Sequence, residues 1–152
     1  MTSNAPALVI VEDSQTDLEL AIHALRASGV ANEIVVARDG QEAIDTLLGA
    51  DPDGNHLPAL IMLDIKLPKL SGFEVLRRLR ADPRYARTPI VVLTSSRQDP
   101  DIEEAYENGA TSYIVKPIDF EQLTTVIRQI GYYWLVVNEP PAAARGAHAP
   151  PA

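Results

Sequence analysis

Five short apolar runs recur along the chain, and they are rich in valine and isoleucine. They do not alternate with polar residues, so they have the pattern of strands that are buried on both faces. Such strands are typical of a parallel sheet. The runs are LVIV at 8–11, IVVA at 34–37, LIML at 60–63, IVVL at 90–93 and YIV at 113–115.

Segments with helical periodicity separate these runs. The first helix is predicted to begin after Ser14, with Asp17 as its capping-box partner, and to end at Gly29. The fourth is predicted to have Asp99 as its cap and Pro100 in the first helical position. The pattern therefore predicts a strand followed by a helix, five times over.

The other three helices are predicted from their apolar stripes and their first residues. The second carries Ala43 and Leu47, the third begins near Gly72, and the fifth begins at Asp119. Because connections between parallel strands cross right-handed, the repeat predicts an α/β fold, a doubly wound (βα)5 three-layer sandwich. Its parallel five-stranded sheet is expected to have the flavodoxin-like strand order 2-1-3-4-5.

Length and composition favour one folded domain. The chain has 152 residues, of which 46 % are hydrophobic and 22 % are charged. It contains no cysteine, which excludes disulfides and thiolate zinc sites and fits a reducing cytosol. The N-terminus lacks the pattern of a signal peptide, and no apolar run approaches the ~18 residues of a membrane span. We therefore expect a cytoplasmic protein with no membrane partner.

The net charge of −8 argues against nucleic-acid binding, which needs a basic face. Five arginines do cluster in the third helix and just after it. We interpret them as a solvated helix face, and we expect no nucleic-acid partner. They are Arg77, Arg78, Arg80, Arg84 and Arg87.

Three parts are predicted along the chain: a folded domain at 6–131, an apolar extension at 132–138 and a disordered tail at 139–152. Gly131 either ends the fifth helix or is crossed at a cost of about 1 kcal/mol. The extension is aromatic and lies beyond a complete core, so it folds back on its own domain or packs against a second copy. We favour a two-fold homodimer seated on the fourth and fifth helices.

Polar residues follow four of the five apolar runs. Glu12 and Asp13 follow the first, Asp64 the third, Thr94 the fourth and Lys116 the fifth. The second run, which ends in alanine and arginine, offers no comparable group. Since the carboxyl ends of parallel strands meet at one edge, where such sheets bind their ligands, these side chains are expected to converge.

Three carboxylates in one pocket repel one another unless a cation neutralises them or one of them is protonated. Hard oxygen ligands without histidine or cysteine suit Mg²⁺. Lys116 is suited to a phosphoryl oxygen, and Thr94 supplies a hydroxyl. These groups together are those of a phosphoryl-transfer site, and we predict that Asp64 accepts a phosphoryl group.

The motifs that carry these residues resemble the receiver domain of two-component response regulators. They are VEDS at 11–14, LDIKLPKLSG at 63–72, LTSS at 93–96 and YIVKP at 113–117. Each motif alone is weak, but their order along the chain is very specific. The resemblance runs from about residue 7 to residue 130, which is nearly the whole folded part.

The resemblance implies a catalytic site in which Asp64 is the phosphoacceptor. It further implies that Asp13 and Asp64 hold Mg²⁺, with the backbone carbonyl of Lys66 as a third ligand. Glu12 helps to bind the cation through a water molecule. Lys116 pairs with the phosphoryl group.

The resemblance also implies a switch. Thr94 senses the phosphoryl group, and Tyr113 is the aromatic residue that changes rotamer. Pro117 is expected to follow a cis peptide bond.

A finer resemblance rests on LPK after Asp64, on the long loop before the third strand and on YYWL after the fifth helix. These features are similar to the stand-alone regulators that partner bacterial phytochrome kinases. The resemblance implies a sensor histidine kinase, such as a bacterial phytochrome, as the partner, and a stoichiometric phosphoacceptor rather than an enzyme. No output domain is expected after the fifth helix.

Two alternatives remain open from the residues. The first is an Asp-nucleophile phosphatase of the haloacid dehalogenase type, but the acid/base Asp expected two residues after the nucleophile is Lys66. The second is a receiver-like scaffold that is never phosphorylated, against which the intact set of site residues argues.

Overall fold

Five strands and five α-helices alternate along residues 6–49, 57–95, 97–116 and 119–134, which are those that the computed structural model describes. Each strand coincides with one of the apolar runs to within a residue. The strands are β1 Leu8–Val11, β2 Ile34–Ala37, β3 Leu60–Asp64, β4 Ile90–Thr94 and β5 Ser112–Val115. The helices are α1 Gln15–Ala27, α2 Gly40–Leu48, α3 Gly72–Ala81, α4 Asp99–Glu107 and α5 Phe120–Trp134.

The strands form one parallel sheet with the order β2-β1-β3-β4-β5, as predicted. At its carboxyl edge Val11 lies opposite both Ala37 and Leu63. One residue further on, Asp64 lies opposite Leu93. The strand ends are therefore level, and the residues that follow them meet at one edge.

The sheet separates two layers of core. Side chains that alternate along β1, β3 and β4 pack on one face with α2, α3 and α4, and on the other face with α1 and α5. The three central strands are buried along their whole length, as their unbroken apolar runs predicted. The edge strands β2 and β5 are largely half-buried, so for them the prediction of burial on both faces was wrong.

Side-chain caps begin most of the helices. Ser14 Oγ accepts a hydrogen bond from the backbone nitrogen of Asp17 at 3.3 Å, as predicted for the start of α1. At α4 the cap is Gln98, and Asp99 is the first helical residue, so the predicted cap was one residue too late. Asp99 still lies in the first turn, where a carboxylate is favourable beside the positive end of the helix dipole.

Arg80 does not belong to a solvated face. Its Nε donates to the backbone carbonyl of Gly109 at 2.8 Å, and its Nη1 donates to the carbonyl of Tyr85. The guanidinium thereby satisfies carbonyls on two loops and ties the end of α3 to the turn before β5. Arg77 and Arg78 are exposed and pair with a glutamate one turn away, as a solvated face requires.

Helix α5 runs through Gly131 and ends at Trp134. Of the two possibilities given for Gly131, the helix therefore crosses this residue and does not end at it. The remainder of the predicted extension and the predicted tail lie outside the described residues, as does most of the loop before β3. Among the described helices, none is long and apolar enough to cross a membrane.

Candidate functional site

Three carboxylates converge at the carboxyl edge of the sheet. Glu12 and Asp13 follow β1, and Asp64 ends the neighbouring strand β3. One carboxylate oxygen from each lies within 4.8 Å of the other two. Glu12 and Asp64 are buried, whereas Asp13 is exposed. The adjacency that the strand order predicted for Asp13 and Asp64 is therefore present.

Lys116 brings a positive charge to this cluster from the end of β5. Its Nζ donates to Glu12 Oε1 at 2.6 Å and to Asp64 Oδ2 at 3.0 Å. A third hydrogen bond, of 2.9 Å, reaches Asp17 Oδ2 in the first turn of α1. Asp17 is a site residue that the sequence analysis assigned only to capping, because Lys116 lies 99 residues further along the chain.

The hydrogen bonds of Glu12 and Asp17 at the start of α1 differ from those of the expected capping box. Glu12 Oε2 accepts the backbone nitrogen of Ser14 at 3.2 Å, which is the bond that a capping box assigns to the residue at position 17. The carboxylate of Asp17 is instead directed to Lys116. The first turn of α1 is thus connected to the site through two acidic side chains.

Burial raises the pKa of Glu12 to about 7, with the Lys116 ammonium acting against this shift and the Asp64 carboxylate reinforcing it. Burial acts to lower the pKa of Lys116. Its hydrogen bonds to Glu12, Asp17 and Asp64 outweigh burial, so the pKa of Lys116 lies above its ordinary value. The raised pKa of Lys116 favours its cationic form, and the raised pKa of Glu12 brings that carboxyl close to protonation near neutral pH.

Asp64 is held from both sides. Its Oδ1 accepts the backbone nitrogen of Lys66 at 3.1 Å, and its Oδ2 accepts Lys116. The side chain of Lys66 is exposed. That the carbonyl of Lys66 is a cation ligand stays a prediction.

A close backbone contact fixes the start of α3 against Asp64. The nitrogen of Gly72 donates to the carbonyl of Ile65 at 2.8 Å. A Cβ atom on Gly72 would lie 2.3 Å from the backbone oxygen of Asp64, far inside van der Waals contact. Only glycine lets the helix approach Asp64 this closely.

Thr94 ends β4 next to the cluster and is fully buried. Its backbone carbonyl accepts the nitrogen of Lys116 at 2.8 Å, which fixes the start of the Lys116 side chain. Its hydroxyl Oγ1 has no hydrogen-bond partner among the described residues. A buried hydroxyl without a partner is costly in a folded protein, so it is suited to an incoming oxygen atom.

Tyr113 lies on β5, which forms one edge of the sheet. Its side chain is half-buried and packs against the core layer under α2, α3 and α4. Its backbone nitrogen donates to the hydroxyl of Tyr106, an exposed residue of α4, at 3.2 Å. Pro117, expected to follow a cis bond, lies outside the described residues.

Arg38 is a second residue that the sequence analysis passed over. It follows β2, where no comparable group was expected, and its guanidinium reaches across to the end of β1. Its Nε donates to the carbonyl of Glu12 at 3.0 Å and its Nη2 to the carbonyl of Asp13 at 2.8 Å. An arginine after a strand carries no local sign that its partners are backbone carbonyls 25 and 26 residues away.

The donor set of this edge fits a hard divalent cation. Mg²⁺ is bound in proteins through one or two carboxylates, several waters and phosphate oxygens. Asp13 and Asp64 offer such oxygens, and Glu12 lies beside them. The exposure of Asp13 leaves the cluster open to water on that side.

Comparison with known proteins agrees with this geometry. The model of the response regulator receiver domain family matches residues 8–128. The probable methanogenesis regulatory protein FilR2 of Methanothrix harundinacea is 37 % identical over 137 residues, which cover 90 % of this chain and 88 % of FilR2. Response regulator Rcp1 of Synechocystis is 34 % identical over 143 residues, which cover 93 % of this chain and 97 % of Rcp1.

Solved structures give the same result. The crystal structure of the Mn²⁺-bound form of Rcp1 superposes with a TM-score of 0.73 at 33 % identity, and the match covers 90 % of this chain and 99 % of that one. The bacteriophytochrome response regulator AtBRR has a TM-score of 0.70 at 40 % identity, with 90 % and 100 % covered. The relatives thus include phytochrome response regulators and a structure with a divalent metal.

These matches leave the haloacid dehalogenase phosphatase without support, because the family model matches residues 8–128, from β1 into α5. Receiver domains are phosphoacceptors that partner with histidine kinases, and they bind a divalent cation at an acidic pocket. The match over 8–128, the strand order and the acidic edge agree with one another. The chain therefore belongs to the response regulator receiver family.

Proposed function

We propose that Asp64 accepts a phosphoryl group from a sensor histidine kinase in a Mg²⁺-dependent reaction. The domain then relays the signal through changes in its conformation and in partner binding. The observation that carries the proposal is the contact between Lys116 Nζ and Asp64 Oδ2, at 3.0 Å, inside a cluster of three carboxylates. An ordinary solvated surface carboxylate is not expected to be buried against a lysine and two other carboxylates.

The transfer uses Asp64 as a nucleophile. An oxygen of its carboxylate forms a bond to phosphorus as the bond from phosphorus to the kinase imidazole nitrogen breaks, and the electron pair of that bond stays on nitrogen. Lys116 gives up one of its carboxylate partners to pair with a phosphoryl oxygen. Hydrolysis later breaks the new bond and restores the carboxylate, so the domain is a stoichiometric acceptor that assists both steps.

We assign the cation to Asp13, Asp64 and the backbone carbonyl of Lys66, with Glu12 acting through a water molecule. When bound, Mg²⁺ supplies positive charge that offsets both the crowded carboxylates and the oxygens of the transferring group. Glu12 and Asp64 share Lys116 between them, so Lys116 orients both carboxylates.

The switch is proposed to begin at Thr94. Its buried hydroxyl donates to a phosphoryl oxygen, which draws the end of β4 towards the site. Tyr113 lies on the neighbouring strand and changes rotamer into the space that is released. Its backbone bond to Tyr106 connects this movement to α4.

The partner is proposed to be a histidine kinase of the bacterial phytochrome type, in the cytoplasm. Support comes from the similarity to Rcp1 and to the bacteriophytochrome response regulator AtBRR. The similarity to FilR2, which is named for methanogenesis, shows that related chains are named for other processes. Phosphotransfer from a panel of purified kinases identifies the partner as the one with the highest transfer rate.

Phosphorylation by acetyl phosphate tests the acceptor assignment. With Mg²⁺ the protein should gain one phosphoryl group that is labile to acid and base, and chelation of Mg²⁺ should prevent this. Asp64→Asn should abolish uptake. Asp45→Asn, which changes an exposed carboxylate of α2, is the matched control and should be phosphorylated as the wild type is. Full uptake by Asp64→Asn would refute the assignment, and no uptake by the wild type would favour the scaffold.

We also propose that residues 132–138 join two copies as a dimer arm seated on α4 and α5. The continuation of α5 to Trp134 supports a rigid start for such an arm. Light scattering after size exclusion, on the full chain and on a chain cut after Ile130, tests it. A monomeric full chain at tens of micromolar, with or without a phosphoryl analogue, contradicts the dimer. A truncated chain that stays dimeric contradicts the arm.

A further inference from the structure

We propose that Arg38 is a positioning residue for the cation site, because its guanidinium fixes the backbone that carries Glu12 and Asp13. This inference rests on the proposed function, since it concerns the same site. Arg38 touches no reacting atom in this arrangement. It acts through the two residues whose carboxylates face Asp64.

The contacts of Arg38 span the turn between β1 and α1. Its Nε and Nη2 donate to the carbonyls of Glu12 and Asp13, and its Nη1 donates to Oε1 of Gln15 at 3.1 Å. One planar guanidinium therefore contacts three residues of this turn: Glu12 just after β1, the exposed Asp13 and Gln15, the first residue of α1. The fork of an arginine fits such a set, and the point charge of a lysine does not.

Among the described residues of β2 and α1, no backbone N–H donates to either of these two carbonyls. The backbone ladder from β1 to β2 ends with the nitrogen of Glu12, which donates to the carbonyl of Ala37 at 3.0 Å. The helical bonds of α1 begin with the carbonyl of Ser14, which accepts Leu18. The carbonyls of Glu12 and Asp13 lie between these two systems, and Arg38 supplies the donors that neither system provides.

Two explanations of Arg38 predict opposite effects on cation affinity. If Arg38 mattered only as a charge, it would repel a divalent cation, and its removal would strengthen binding. If it positions Glu12 and Asp13, its removal lets their carboxylates move away from a shared cation, and binding weakens. Arg38→Lys keeps the charge and loses the fork, so it separates the two explanations.

Mn²⁺ binding measured by EPR of the free ion, and Mg²⁺ binding measured by calorimetry, test the proposal on the full chain. Arg38→Lys and Arg38→Met should each raise Kd about tenfold, at the lower end of the range for groups that support metal ligands. With acetyl phosphate, the Mg²⁺ concentration for half-maximal phosphorylation should rise by a similar factor. The rate at saturating Mg²⁺ should stay near that of the wild type, because Asp64 and Lys116 are unchanged.

Arg26 provides a matched control. It is also exposed, and its Nη1 donates to two backbone carbonyls, of Val30 at 3.0 Å and of Asn32 at 2.7 Å, in the turn that leads into β2. Arg26→Met removes a carbonyl clamp of the same kind at the other end of that strand. It should leave Kd for both cations unchanged, even where it lowers the midpoint of urea unfolding.

The possible results are distinct. Tighter or unchanged binding by Arg38→Met would overturn the proposal, and so would wild-type affinity in Arg38→Lys. Equal losses of cation affinity in the Arg26 and Arg38 variants would overturn it too, because the weaker binding would then reflect a general loss of stability. Should Arg38→Met fail to fold, Arg38→Lys decides. Absence of Mn²⁺ binding or of Asp64 phosphorylation in the wild type would instead contradict the proposed function itself.

Discussion

Without a cation, the Asp13→Asn variant should be more stable than the wild type. With Mg²⁺ present, it should be less stable than the wild type. The substitution keeps the size of the side chain and removes one of three acidic groups within 4.8 Å of one another. At that separation two unit charges repel by about 0.9 kcal/mol in a water-like dielectric and about 3.5 kcal/mol at an effective dielectric constant of 20. Asp13 is exposed, so the lower figure applies to it.

The net gain without cation should therefore be about 1 kcal/mol, which is roughly 3–4 °C in Tm for a domain of this size. With Mg²⁺ at ten times its Kd, the wild type gains about 1.4 kcal/mol from binding. The variant gains little, because it lacks one of the proposed ligands. The order of the two stabilities should thus reverse between chelator and Mg²⁺.

Urea unfolding followed by circular dichroism, in EDTA and in Mg²⁺, measures this reversal. Glu33→Gln, which removes an exposed carboxylate in the loop before β2, is the control for lost negative charge and should show no reversal. A variant less stable than the wild type in EDTA would mean that Asp13 is not repelled by its neighbours. A variant stabilised by Mg²⁺ as much as the wild type would remove Asp13 from the cation site.

Three further results are expected. Gly72→Ala places a Cβ 2.3 Å from the Asp64 carbonyl, so urea unfolding should show a loss of roughly 1–3 kcal/mol. Phosphorylation should slow too, because the proposed acceptor Asp64 is displaced. Thr94→Val removes a buried hydroxyl that lacks a described partner, so the unphosphorylated protein should be about 1 kcal/mol more stable, still accept phosphate, and show smaller NMR shifts in α4 and β5 on phosphorylation. The side chain of Arg84 and, to a smaller extent, its backbone nitrogen donate hydrogen bonds to Asp82 and lower the pKa of Asp82 below 3.8. These bonds therefore stabilise the fold above pH 3.8, and the stabilisation is lost as the pH falls through the lowered pKa. Arg84→Gln should raise the pKa of Asp82 in a carboxyl NMR titration, and its stability deficit at pH 6 should be smaller in strong acid, where Asp82 is protonated.

The sequence predicted those features that local pattern determines. The central strands are unbroken apolar runs because both of their faces are covered. The acids at the ends of β1 and β3 meet because parallel strands end at one edge. Edge position was not visible in the run of β2, which is as apolar as the central runs although three of its four residues are only half-buried. In β5 all four residues are half-buried. Burial of an edge strand depends on neighbours that no local pattern specifies.

The residues that the sequence analysis misjudged share a physical cause. Asp17, Arg38 and Arg80 each have a partner far along the chain, and for both arginines that partner is a backbone carbonyl. Backbone groups are present at every residue, so they leave no mark in the sequence. Only the folded turn shows which carbonyls lack a donor.

The bond between the backbone nitrogen of Tyr113 and the hydroxyl of Tyr106 has a consequence for assembly. A strand at the edge of a sheet offers its outward N–H groups as a template on which another chain can add a strand. Here a side-chain hydroxyl from α4 already occupies one of those groups, in the middle of β5. Strand addition, and the fibrillar growth that follows from it, is thereby opposed at this edge. A second copy that added a strand at this edge would have to break the bond between Tyr113 and Tyr106 first.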